Sequence, residues 1–150
     1  MNQARMWIVI GLSGLFLTAG SSRPEFLFRI HLEASKAENP DQVVTLNMGG
    51  PLGITRVREF AEMSENDIQS IILRPGGGAL IQFNPGGRIR LEALTANNQG
   101  RLMCVFLNGR YLYAAEIDMV MDSGRLFLPK GVTPEDVELF EKYLAYRKRG

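Results

Sequence analysis

Asn108-Gly109 separates two extended runs, Arg101–Leu107 and Arg110–Ala115, and no other feature of this sequence restricts its fold as tightly. A two-residue hairpin loop matches the twist of its strands only when both central residues take positive φ, which Asn and Gly tolerate well. The two runs are therefore predicted to be adjacent antiparallel strands. In the first run both sets of alternate side chains, Leu102, Cys104, Phe106 and Met103, Val105, Leu107, are apolar. A strand apolar on both faces belongs in the middle of a sheet.

The rest of the chain supplies neighbours for it. Phe26, Phe28, Ile30 and Leu32 alternate with Arg29, His31 and Glu33, the period of a half-buried strand. Asn39-Pro40-Asp41 is turn chemistry, and Val43–Met48 reads as a returning strand that would form a hairpin with Phe26–Glu33. Ile54–Phe60 is a further extended segment after the Gly49-Gly50-Pro51 break. Ser64-Glu65-Asn66-Asp67 has a cap with an acid three residues on, but the apolar run behind it is short, so a single turn feeding a strand at Gln69–Arg74 is expected. Pro75-Gly76-Gly77-Gly78 then turns the chain into Ala79–Phe83. Pro85 opens a helix over Gly86–Asn97, with Arg88, Leu91, Leu94 and Thr95 on one side. After a short strand at Arg125–Leu128, Thr133-Pro134-Glu135-Asp136 combines an N-cap hydroxyl, proline at the first helical position and acids at the positive end of the dipole. The last helix runs to about Tyr146 with Val137, Phe140, Tyr143 and Leu144 as its apolar stripe. This order predicts an α+β fold, helices laid on a largely antiparallel sheet.

The N-terminus reads as an export signal. Arg5 is the charged start, Met6–Leu17 is an uncharged apolar run, and Ala19, Ser21 and Ser22 lie in a stretch of small residues suited to a signal peptidase. The run is shorter than the ~20 residues of a comfortable membrane span, which favours cleavage over anchoring. The protein is thus expected in the periplasm or another part of the cell envelope, tethered to the inner membrane by Met6–Leu17 if the signal is kept. Lys+Arg 17 against Asp+Glu 16 leaves no electrostatic case for nucleic acid or an anionic membrane surface as partner. With 45% hydrophobic residues and one cysteine, the remainder is one ordinary domain that needs neither metal nor disulfide.

Residues Ser64–Leu144 resemble the periplasmic head region of the SecD and SecDF protein-export membrane proteins. The resemblance is carried by Asp67-Ile68, Leu94-Thr95, Asn98-Gln99-Gly100-Arg101, the hairpin Leu102–Arg110, Gly124-Arg125-Leu126 and Thr133-Pro134-Glu135-Asp136. Ala115 stands where that family commonly has proline after the hairpin. The likeness implies a ferredoxin-like antiparallel sheet with two helices on one face, here with an N-terminal strand extension. Together with the N-terminal reading it divides the chain into a signal or uncleaved anchor (1–22), a β extension (23–63), a head-like domain (64–146) and a basic tail (147–150). It also implies a non-catalytic module that touches a protein or peptide, with a structural or oligomeric scaffold as the alternative role.

Individual residues carry little chemistry. Tyr111 and Tyr113 alternate on one strand face beside Arg110, and with Arg101 they make the candidate polypeptide-contact hairpin. His31 and Glu33 share a strand face but lack further metal ligands nearby. Cys104, between apolar neighbours with no base beside it, reads as a buried thiol. Gly76-Gly77-Gly78 leads into a strand and is a turn, and Gly86-Gly87 lacks the lysine and hydroxyl of a phosphate loop. Glu116, Asp118 and Asp122 fit no calcium-loop spacing and read as surface charge. No catalytic set, cofactor site or metal site can be assembled, so no enzyme is expected.

Overall fold

The structure, a computed structural model, describes residues 23–150, so the predicted signal and its cleavage residues Ala19, Ser21 and Ser22 lie outside the described residues. The Asn-Gly hairpin is present: β7 (Leu102–Leu107) and β8 (Arg110–Glu116) pair antiparallel, with Asn108 at φ 49° and Gly109 at φ 79°. Asn108 also ties the turn to the start of the domain. Its N–H donates to Leu27 O at 2.8 Å, and its side-chain oxygen accepts from Leu27 N at 3.0 Å.

On its other side β7 pairs with β1 (Phe28–Leu32), and β1 pairs in turn with the short β4 (Met63–Ser64), giving the order β4-β1-β7-β8. The N-terminal extension is therefore integral to the domain, since β1 occupies an inner position. Phe26, Phe28, Ile30 and Leu32 are all buried, as the alternation predicts.

The expected hairpin between β1 and the next strand does not form. β2 (Val43–Gly49) pairs instead with β3 (Gly53–Arg58) as a two-stranded ribbon, joined to β1 by the Glu33–Val57 bridge. Turn geometry explains the difference. Gly49, Gly50 and Gly53 all take positive φ and reverse the chain tightly, whereas Asn39 caps one turn of 3-10 helix (Pro40–Gln42) in a longer connection.

A second turn redirects the chain out of the first sheet. Ser64 and Asp67 form a capping box around the single 3-10 turn Glu65–Asp67, and the chain leaves it as β5 (Ile68–Leu73), as expected for this segment. β5 pairs with β6 (Ala79–Phe83) through the Gly76–Gly78 turn, and β9 (Arg125–Leu128) lies on the far side of β6. Apart from the β2–β3 ribbon, the antiparallel strands are thus divided between a four-stranded and a three-stranded sheet, in an α+β architecture consistent with a ferredoxin-like domain. Both sheets share one core, in which Ile30, Val105 and Leu107 belong to the same cluster as Ile71, Ile81 and Leu128.

The two helices close that core. In α1 (Pro85–Asn97) the Asn84 side chain caps Gly87 N at 2.8 Å, and Leu91, Leu94 and Thr95 are buried. Thr95 accepts a hydrogen bond from Met121 N at 2.9 Å, which fastens the chain leading into β9. In α2 (Pro134–Arg147) the rings of Phe140 and Tyr143 pack on Phe26, with centroids 5.0 and 6.0 Å away. The tyrosine hydroxyl reaches Asn66 Oδ1 at 2.8 Å, joining the helix to the capping turn.

Gly87 allows this docking. A Cβ at that position would stand 2.5 Å from Asp67 O and 2.9 Å from Asp67 Cβ, whereas at Gly86 the nearest atom is the Asn84 side-chain oxygen at 3.5 Å. Alanine in a helix interior ordinarily gains up to about 1 kcal/mol over glycine, while overpacking costs about 1–3 kcal/mol. Gly87→Ala is therefore expected to lower the urea midpoint and Gly86→Ala to hold or raise it, read by chemical denaturation of the two variants.

Candidate functional site

The four hairpin residues do not form one surface. Arg110 is engaged with α2: its guanidinium meets the buried Asp136 carboxylate at 2.7 Å and donates to Gly131 O at 3.1 Å. Asp136 also accepts from Asn108 Nδ2 at 2.8 Å and from Thr133 N at 2.9 Å. Burial opposes ionisation of this carboxyl, but the bonds from Arg110, Thr133 and Asn108 outweigh it and hold its pKa below the ordinary value. Arg101 is engaged at the other end of the hairpin, with Glu38 at 2.8 Å, Asn98 Oδ1 at 3.0 Å and the carbonyl of Glu33. Both arginines hold the domain together.

The two tyrosines are separated by a β-bulge. Val105 faces Tyr113 and Phe106 faces Tyr111, so one extra residue, Leu112, is accommodated between them. Tyr111 lies on the outer face against the Phe106 ring at 5.9 Å, whereas Tyr113 packs against the core. The expected shared face is thus lost. Simple alternation would have turned Leu112 inward and both tyrosines outward. Instead Leu112 and Tyr113 both turn in, with Leu112 seated against Gly131.

What the fold offers in place of that face is a groove lined by β8, β9 and the segment between them. Met103, Tyr113, Ile117, Met121 and Leu126 form its apolar floor, Met119 and Phe127 stand exposed beside it, and Glu116 and Asp118 add negative charge. β8 and β9 are each the last strand of their sheets, so both adjoining backbone edges carry no further strand among the described residues. The strand reading identified Tyr113 alone as a contact residue here. Met119 and Met121 lie in a segment whose pattern carries no separate signal, and Phe127 lies in the expected strand Arg125–Leu128 without being marked as a contact residue.

The remaining candidates have structural partners. His31 Nδ1 bonds the Arg58 carbonyl at 2.8 Å, and its ring stands edge-on to Phe106 at 5.5 Å. Glu33 accepts from Leu102 N at 2.9 Å. Cys104 is fully buried; desolvation, with the charge of Glu33, pushes its thiol to about 11, so it is not a thiolate at neutral pH. The Gly86-Gly87 helix start is closed by Asn84 and lies against Asp67. Among the described residues no group of three or more His, Cys, Asp or Glu side chains could hold a metal ion, Glu116, Asp118 and Asp122 included.

No protein-family model matches the sequence, and no curated protein matches it. Its structure is similar to SecDF in a super-membrane-facing form, with a TM-score of 0.53 and 13% identity over 79% of this chain. It is also similar to a structure of SecDF described as a membrane component that enhances protein export, with a TM-score of 0.56 and 14% identity over 81% of this chain. The alignments span 18% and 63% of those chains. The likeness is one of fold, and it is to the SecDF proteins whose resemblance the hairpin and helix motifs carry. No helix of the described residues is long and apolar enough to cross a membrane.

Glu38 gives the site's framework a pH dependence. The hydrogen bond from Arg58, aided by Arg101 and opposed by burial, lowers its pKa from an ordinary 4.5 to about 2. A carboxyl depressed in the folded state contributes stability that is complete above its ordinary value and is lost as pH falls through the folded value. Glu38→Gln should thus be less stable than the parent at neutral pH, with the gap closing between pH 4.5 and pH 2 in urea titrations.

Proposed function

We propose that this chain is a non-catalytic interaction module of the cell envelope, head-like in the sense of SecD, which binds extended polypeptide along β8 and takes part in protein export. The observation that carries this reading is the groove beside β8: an apolar, methionine-rich floor next to an unpaired strand edge. Backbone groups of a free edge offer hydrogen bonds to any chain, and methionine adapts to many side chains, so the pair suits a partner recognised by extension rather than by sequence. Glu116 and Asp118 favour segments in which apolar residues are accompanied by Lys or Arg. The fold likeness to a component that enhances protein export supports the link to exported chains.

A photo-crosslinking amino acid at Phe127 or Met119 should form adducts with an exported precursor held in transit, and with an extended apolar peptide carrying lysines. The same group at Ala93, on the exposed side of α1, should not. Equal yields at Phe127 and Ala93 would refute contact through the groove. Adducts solely between copies of this chain would replace the reading with an oligomeric scaffold.

A further inference from the structure

The near-zero net charge of the chain conceals a local excess. Arg23 and Arg147 both stand over the buried ring of Tyr143, at 5.9 and 5.7 Å, so two cations converge where the N-terminal segment meets the last turn of α2. Lys148 and Arg149 follow immediately, and a shallow depression between Pro24, Lys142, Tyr146, Arg147 and Arg149 opens on the same pole. Among the described residues, Arg23, Arg147, Lys148 and Arg149 have no carboxylate partner. The acids closest in sequence are Glu25, Glu138 and Glu141, and Glu138 is taken up by Lys142 at 2.8 Å. Tyr146 is 40% exposed among these cations, an amphipathic ring beside positive charge, which is the combination found at membrane interfaces.

The sequence indicates which anionic surface this pole meets. The apolar run Met6–Leu17 is separated from Arg23 by the five residues 18–22, which reach at most about 17 Å when extended. That is the farthest separation, about two screening lengths at physiological salt; where the apolar segment is kept in a bilayer rather than cleaved, any less extended linker brings the cationic pole closer, and a compact one brings it to within one, where the field of the lipid headgroups acts. We infer that the pole formed by Arg23 and the last turn of α2 rests on an anionic phospholipid surface, turning the groove beside β8 in a defined direction relative to the membrane. The charge sum of the whole chain disfavours such a partner because it averages over the entire surface, whereas Arg23, Arg147, Lys148 and Arg149 are gathered at one pole.

The full chain, reconstituted in phosphatidylcholine vesicles with or without phosphatidylglycerol, tests this with a dye on Ala145→Cys and a quencher on the lipid headgroups. Ala145 is exposed and Cys104 is buried, so labelling is selective. Quenching should be at least about threefold stronger in the anionic vesicles, and it should fall to the neutral-vesicle level at high salt, where screening removes the attraction. The double substitution Lys148→Glu/Arg149→Glu, at two exposed positions, should abolish the difference without changing the thermal midpoint, and a dye on Ala93→Cys should show none. Equal quenching in the two lipid compositions, or a difference that survives the double substitution, would overturn the proposal. So would quenching of the Ala145 dye by a quencher-labelled short oligonucleotide as strong as that by the anionic vesicles.

Discussion

The domain depends on one buried carboxylate. Asp136 caps α2, receives Arg110 from the start of β8 and binds the Asn108 side chain in the β7–β8 turn, while Asn108 holds Leu27 through both its backbone and its side chain. Three segments far apart in sequence, the entry to β1, the hairpin and the last helix, are brought into register at one point. A buried charge of this kind costs desolvation unless every acceptor site is used, and here four donor groups converge on it: Asn108, Arg110, the Thr133 N–H and the Thr133 hydroxyl. The same register brings Phe26 against Phe140 and Tyr143.

At the opposite end of the strands a second polar knot has the same logic on the surface. Glu38, on the connection after β1, accepts from Arg58 of β3 and Arg101 at the start of β7. The ribbon of β2 and β3 is thereby held against the main sheet, although it shares no full strand pairing with it. With both ends of the hairpin fastened, the side of β8 facing β9 is left open. Arg101 and Arg110 are committed at the two ends of the hairpin, and neither lines the groove.

Much of this could be read from the residues because the relevant signals are local. Positive-φ turns at Asn108-Gly109 and Gly76–Gly78, the Thr133 and Ser64 caps, and the alternation from Phe26 to Leu32 each act within a few residues, and each appears where it was expected. Strand order and partners were less accessible. Whether β2 returns to β1 or pairs with β3 is decided by competition between two turns, and how the strands divide among sheets depends on contacts far apart in sequence. The bulge at Leu112 is not legible for a different reason: it seats Leu112 against Gly131, more than ten residues away in sequence and brought near only by the fold. Arg101 and Arg110 were legible as important, but their partners, Glu38 and Asp136, were not.

The bulge also bears on how the protein survives at high concentration. A regular, exposed strand edge is a template for another copy of itself, and repeated pairing of that kind grows without limit. In β8 the extra residue bends the strand and breaks the spacing of its outward backbone groups, so a second rigid β8 cannot match it along its length. A mobile segment can follow the bend where a folded strand cannot. In the function proposed above, the irregularity that divides Tyr111 from Tyr113 would act as a filter on the state of an incoming chain, admitting what has not yet folded and excluding what has.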